Sequence, residues 1–169
     1  TKKWIYFLHH PVQRPQKTSI DTDHVVRAQK PVQKVMRYDG YSKLDNFIKE
    51  KKLSDLKKQN SLSYDPKRDD KLFEYMQSYD KKTGLDGLMD HFKNLKLSYS
   101  LKPSGIILSD PIDSFIFGNK EGYCVHFASA FATMARMAGY PSRVVTGFLA
   151  ETTNSYENYL VVREEDAHA

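Results

Sequence analysis

The stretch Gly122 to Gly147, GYCVHFASAFATMARMAGYPSRVVTG, constrains this chain more than any other. From Cys124 to Ala138 it is apolar and rich in Ala and aromatic residues, which predicts a helix. Gly139 supplies a stop and Pro141 prevents continuation. The following run, Arg143-Val144-Val145-Thr146-Gly147-Phe148, is β-branched and predicts a buried strand. Cys124 is the single cysteine of the sequence, and this reading puts it in the first turn of the helix. There a thiol meets unpaired backbone N–H groups and the positive end of the helix dipole, both of which favour the nucleophilic thiolate.

A lone cysteine is more often a packing residue than a nucleophile, so a partner base is needed to change the reading. His168 meets that need. It follows Tyr159-Leu160-Val161-Val162-Arg163, which alternates and branches like a strand. A helix-borne Cys opposed by a strand-borne His is the layout of papain-like thiol enzymes. The separation of 44 residues accommodates a helix, two strands and their turn. His126 lies two residues past Cys124 on the helix and is expected to point away from the thiol.

These residues form an ordered set of motifs. Gly-Tyr-Cys at 122–124, Phe-Ala-Ser-Ala-Phe-Ala at 127–132, Ala-Gly-Tyr-Pro-Ser-Arg-Val-Val-Thr-Gly-Phe at 138–148 and Asp-Ala-His-Ala at 166–169 resemble the core of the transglutaminase-like superfamily. Leu-Ser-Tyr-Ser-Leu-Lys-Pro at 97–103 and Asp-Pro-Ile-Asp-Ser-Phe-Ile-Phe at 110–117 are similar to its bacterial, membrane-anchored branch. The resemblance runs over a little under half of the chain. It implies an α+β, papain/transglutaminase-like fold, with a catalytic Cys124 at a helix N-terminus packed against an antiparallel sheet carrying a catalytic His168. It implies acyl transfer at protein or peptide amides through a thioester, and a periplasmic or extracytoplasmic location tethered only through an anchor outside this chain; the residues themselves call for no cofactor and no metal. It also implies an orienting Asp on a strand beyond residue 169. Asp166, two residues before His168 on the expected strand, shares its face but is not aimed at the ring's far nitrogen. Relatives often carry Glu-His after the cysteine where this chain has Val125-His126. Arg143 is expected to pair with an acidic group near the site, and Gly147 to allow close backbone passage. The Cys124 backbone N–H is one expected oxyanion donor. Tyr99 is a candidate second donor, although a tyrosine there is more often a packed aromatic.

Charge bears on partners. Residues 1–103 carry 22 Lys+Arg against 13 Asp+Glu (+9) and residues 104–169 carry 4 against 8 (−4), which together make the chain's +5. The lysines of the basic part are scattered among Asp and Glu without Arg–aromatic interleaving, which describes a solvated surface rather than a nucleic-acid interface. Calcium has no support either, since no Asp/Asn-rich loop shows ligand spacing. The sequence has no secretory signal and no apolar run of membrane-spanning length.

The rest of the chain divides into an expected β-rich extension, residues 1–42, and a core, 43–169. Trp4 to Leu8 predicts a strand, and Val25-Val26, Val32 to Met36 and Tyr38 are further β-rich segments. His9 and His10 point apart on a strand and lack further ligands at metal spacing. Leu44, Phe47, Ile48 and Leu53 predict a helix with Leu56 beyond it, followed by a polar loop from Asn60 to Pro66. Asp65-Pro66 opens a second helix striped by Leu72, Phe73, Met76 and Tyr79, and Leu85 to Leu95 forms a third, with His91 packed beside its apolar face. Leu97 to Leu101 is extended, and Asp110-Pro111 caps a short helical piece. The residues leave three functions open: an acyltransferase, a cysteine peptidase or amidase of the same fold, and a non-catalytic interaction module. A protein or peptide substrate is the expected partner, with no nucleic acid.

Overall fold

The computed structural model describes residues 3–8, 10–21, 24–43, 54–149 and 161–169. It divides into two compact units, Thr1–Lys52 and Leu53–Ala169, a boundary that falls later than the sequence-derived one at residue 42. The expected helix over Leu44–Leu53, and His9, lie outside the described residues.

The first unit is built from short strands. β1 (Trp4–Ile5), β4 (Val26–Ala28) and β3 (Thr18–Ile20) form a sheet in the order β1-β4-β3, and β2 (His10–Gln13) pairs with β5 (Tyr41–Lys43). All these pairings are antiparallel. Ile5 and Val26, adjacent in register, are buried. The β-rich run Val32 to Met36 is not a strand, and Val35 is fully exposed.

The second unit, as far as its residues are described, is a helical cluster with two small ladders. α1 spans Asp55–Leu62, capped by the Ser54 hydroxyl accepting from the Lys57 N–H. It thus occupies part of what the sequence pattern assigns to a loop. α2 (Asp70–Met76) begins later than Asp65-Pro66 suggests, because Asp65 is spent on a turn: its Oδ1 accepts from the N–H groups of Lys67 and Arg68. The start of α2 is capped from a distance. Asp113 accepts from the Lys71 N–H at 2.8 Å and the Leu72 N–H at 3.1 Å, two of the donors that a helix start leaves without partners. α3 (Gly84–Lys93) follows, then β6 (Ser98–Tyr99), α4 (Pro111–Asp113) running into a π-helical turn at Ser114–Asn119, and β7 (Glu121–Gly122).

α5 (Cys124–Met137) is the central helix. Its buried face, Ala130, Met134 and Ala135, joins Leu72, Met76, Leu88, Leu95, Ile112, Phe115 and Ile116 in one core. The helix ends as its sequence predicts. Gly139 is left-handed (φ +94°), its N–H donates to the Arg136 carbonyl, and the Tyr140 N–H donates to the Ala135 carbonyl. That is the Schellman arrangement, which needs a residue comfortable at positive φ.

The strand expected after α5 is largely absent. Of the run Arg143–Phe148, only Gly147–Phe148 forms a strand, β8, and Val145 is 79% exposed. Its partner among the described residues is β9 (Ala167–His168), and a two-residue ladder covers neither face of the run. Residues 161–163 are likewise not a strand.

Candidate active site

The turn that presents Cys124 is fixed by three neighbours. Gly122 ends β7, and a Cβ there would lie 2.6 Å from a Phe115 ring carbon and 2.8 Å from the His126 Cβ, so a larger residue does not fit without movement. Tyr123 is extended (φ −110°, ψ −178°) and α5 starts at the next residue, leaving the thiol in the first turn. The Tyr123 N–H then donates to His126 Nδ1 at 3.2 Å. A histidine at the third helical position reaches back to the residue that caps the helix, as Glu or Gln does in a capping box. Since Nδ1 accepts, the neutral ring carries its proton on Nε2. His126 stacks edge-on to Tyr123 (4.3 Å) and lies against Phe115 (5.6 Å). Burial lowers its pKa from 6.5. His126 does not border the thiol's cavity. It instead locks the turn, a role that the sequence reading missed although Tyr123 and His126 stand at capping-box spacing.

His168 arrives by a lighter route. Gly147 pairs with His168 and Phe148 with Ala167 in an antiparallel ladder, extended by the Leu149 N–H donating to the Asp166 carbonyl at 2.8 Å. Both strands are exposed. Asp166 is not on His168's strand, which corrects the sequence expectation. It lies in a 3₁₀ turn, Glu164–Asp166, where its Oδ2 accepts from the Arg163 N–H at 2.7 Å. A carboxylate engaged by backbone three residues upstream holds that turn together. Gly147 also departs from its expected role: a Cβ there would meet nothing within 4 Å. Arg143 is exposed.

Cys124 and His168 border one cavity of about 330 Å³. Cys124 is a free, partly buried thiol. The remaining wall is Met89 and Phe92 from α3, Tyr99 from β6, and Phe127, Ala128 and Phe131 from α5, with Ala169 beside the histidine. The wall is almost wholly apolar, and its aromatic members contact one another: Phe92–Phe131 at 5.4 Å, Phe92–Phe127 at 6.3 Å and Tyr99–Phe127 at 6.1 Å. Tyr99, for which core packing is the commoner role, stands in the cavity wall and is 59% exposed. A nucleophile and an imidazole beside apolar walls suit acyl chemistry, because low local polarity strengthens each interaction with developing charge.

His91 stacks on Tyr75 at 4.2 Å, and His10 meets His24 at 5.7 Å. Among the described residues there is no group of three or more His, Cys, Asp or Glu able to hold a metal ion.

Comparison with known proteins supplies the context. The sequence model of the transglutaminase-like superfamily matches residues 73–169. A protein-glutamine gamma-glutamyltransferase of Pseudomonas aeruginosa is 40% identical over 82 residues, covering 48% of this chain and 12% of that protein. The uncharacterized protein YebA of Bacillus subtilis is 36% identical over 64 residues, covering 36% of this chain and 9% of that protein. The chain thus corresponds to a small part of the curated relatives it matches. Two crystal structures of the periplasmic domain of TgpA from Pseudomonas aeruginosa, one bound to ethylmercury, share the fold. Their TM-scores are 0.75 and 0.76 at 24% and 25% identity, covering 99% of this chain and 61% and 59% of those chains.

Proposed function

The chain belongs to the transglutaminase-like superfamily, and on that premise we propose that it is a cysteine enzyme transferring the acyl group of a protein or peptide glutamine amide through a thioester on Cys124. The observation that carries this reading is that Cys124 and His168 border one apolar cavity. The Cys124 sulfur attacks the carboxamide carbon and forms the C–S bond. His168 donates a proton to the departing nitrogen, so the C–N bond breaks and ammonia leaves. An amine then attacks the thioester carbon and gives its proton to His168 as the C–S bond breaks, which restores the thiolate–imidazolium pair. Water in place of the amine yields the carboxylic acid, and a backbone amide in place of the side-chain amide makes the same chemistry a peptidase. The amidase outcome therefore differs only in the group that enters or leaves. The acyltransferase is preferred because the similar Pseudomonas protein is named for transfer from glutamine. The similarity to a periplasmic domain supports an extracytoplasmic location. No helix among the described residues is long and apolar enough to cross a membrane.

The test is to incubate the protein with a glutamine-containing peptide and a primary amine, following ammonia release and the mass of both peptide and protein. The expected result is a peptide–amine conjugate and a transient thioester on the protein. Cys124→Ala abolishes both, and His168→Ala lowers turnover by roughly 10²–10⁴-fold. Turnover that survives Cys124→Ala, or a wild-type protein that forms no thioester with any amide, would overturn the proposal.

A further inference from the structure

The ladder beside Cys124 has one occupied edge and one open edge. β6 pairs in parallel with β7, Ser98 opposite Glu121 and Tyr99 opposite Gly122. The Ser98 N–H donates to the Lys120 carbonyl and the Ser100 N–H to the Gly122 carbonyl, both at 2.8 Å. Main-chain donors alternate sides along a strand, so the N–H and C=O of Tyr99 face the opposite edge. Among the described residues they have no backbone partner. An edge of this kind is a template for one more strand. Tyr99 also borders the same cavity as Cys124, which puts this edge beside the thiol's cleft.

The cleft itself selects by polarity. Apart from Cys124, His168 and the Tyr99 hydroxyl, its wall has no ionisable side chain, and Met89, Phe92, Phe127 and Phe131 form most of its surface. A charged side chain entering it loses hydration and meets no charged group beyond the Cys124–His168 pair, whereas an aliphatic or aromatic one gains contact area.

Resting on the acyl-transfer reading above, we propose that the acyl donor is an extended peptide that pairs its backbone with the open edge of β6 at Tyr99 and seats an apolar side chain, adjacent in sequence to the reacting glutamine, against Met89, Phe92, Phe127 and Phe131. The main-chain pairing fixes the direction of the peptide, and the apolar wall sets its preference.

The experiment uses glutamine peptides that differ only next to the glutamine: Leu or Phe, Asp, Lys, and a Leu peptide whose main-chain amide there is replaced by an ester. The expected kcat/KM for Leu or Phe exceeds that for Asp or Lys by roughly 10- to 100-fold. The ester, which lacks the main-chain donor, loses about 5-fold. Met89 is 40% exposed on α3, so Met89→Glu is tolerated by the fold and is expected to raise kcat/KM for the Lys peptide while lowering it for Leu. Binding of the unreacted peptides to Cys124→Ala, read by fluorescence anisotropy, is expected to follow the same order. Turnover that is equal for all flanking residues, or that follows the apolar character of the amine rather than of the glutamine peptide, would defeat this inference and leave the acyl-transfer reading standing. A protein that forms no thioester with any of the peptides defeats both.

Discussion

The two sides of the candidate site are built to different standards. Cys124 stands on a helix whose inner face is the core of its unit, after a turn held by Phe115, Gly122 and His126. His168 stands on a two-residue strand paired with another, both exposed. Packing density fixes the first side, while the second rests on a short ladder and a 3₁₀ turn closed by Asp166. Substitutions on the cysteine side are therefore expected to cost folding stability, and those on the histidine side chiefly activity.

The hardest blow to the cysteine side is Phe115→Ala. The ring is 1% exposed and contacts both Phe127 (5.1 Å) and His126, so its loss is expected to destabilise the unit by about 3–5 kcal/mol in urea titration. Asp113→Ala comes next. It leaves the Lys71 and Leu72 N–H groups unpartnered inside the protein, at an expected cost of about 2–4 kcal/mol.

Asp113 also sharpens the comparison through pH. Burial raises its carboxyl above 3.8, opposed by the two N–H groups and reinforced by the nearby charges of Asp110 and Asp69. A carboxyl raised in the folded state binds its proton more tightly there than in the unfolded chain. Its contribution to stability is thus complete below 3.8 and is lost as pH rises through the folded value. Urea midpoints measured across that range are expected to show this component in the wild type and to lack it in Asp113→Asn.

Gly122→Ala is expected to cost about 1–3 kcal/mol, since the added methyl displaces the Phe115 ring or the start of α5. It should also slow alkylation of Cys124 at fixed pH. His126 is lowered, so its contribution to the turn is present above the unfolded value near 6.5 and is lost as pH falls through its folded value, where a protonated ring no longer accepts from the Tyr123 N–H. An acid-side loss of stability that His126→Ala removes would verify the lock. The smallest effect belongs to the histidine side: Gly147→Ala, with nothing within 4 Å of the new methyl, is expected to stay within about 0.5 kcal/mol. A large cost there would erase the contrast between the two sides.

Much of the cysteine side was legible in the sequence because its signals are local. The apolar period of α5, the Gly139 stop and the thiol at the first turn follow from neighbours a few residues apart. Spacing and resemblance single out Cys124 and His168, and in the structure both residues border one cavity. What local pattern could not supply was the remote capping of α2 by Asp113, which joins residues 41 and 42 positions apart. Nor could it supply the failure of Arg143–Val145 to form a strand, since β-branched residues state a preference that only a paired neighbour realises.

The sequence by itself determined the family, the central helix and the position of its thiol, because helix periodicity, stop signals and motif order are all written along the chain. The tertiary structure alone decided that Tyr99 faces the cleft with an open edge, that Asp166 belongs to a turn rather than to His168's strand, and that His126 secures the helix start. Each of these depends on which groups are left to pair after distant segments have packed, and hydrogen-bond competition of that kind is settled in space, not along the chain.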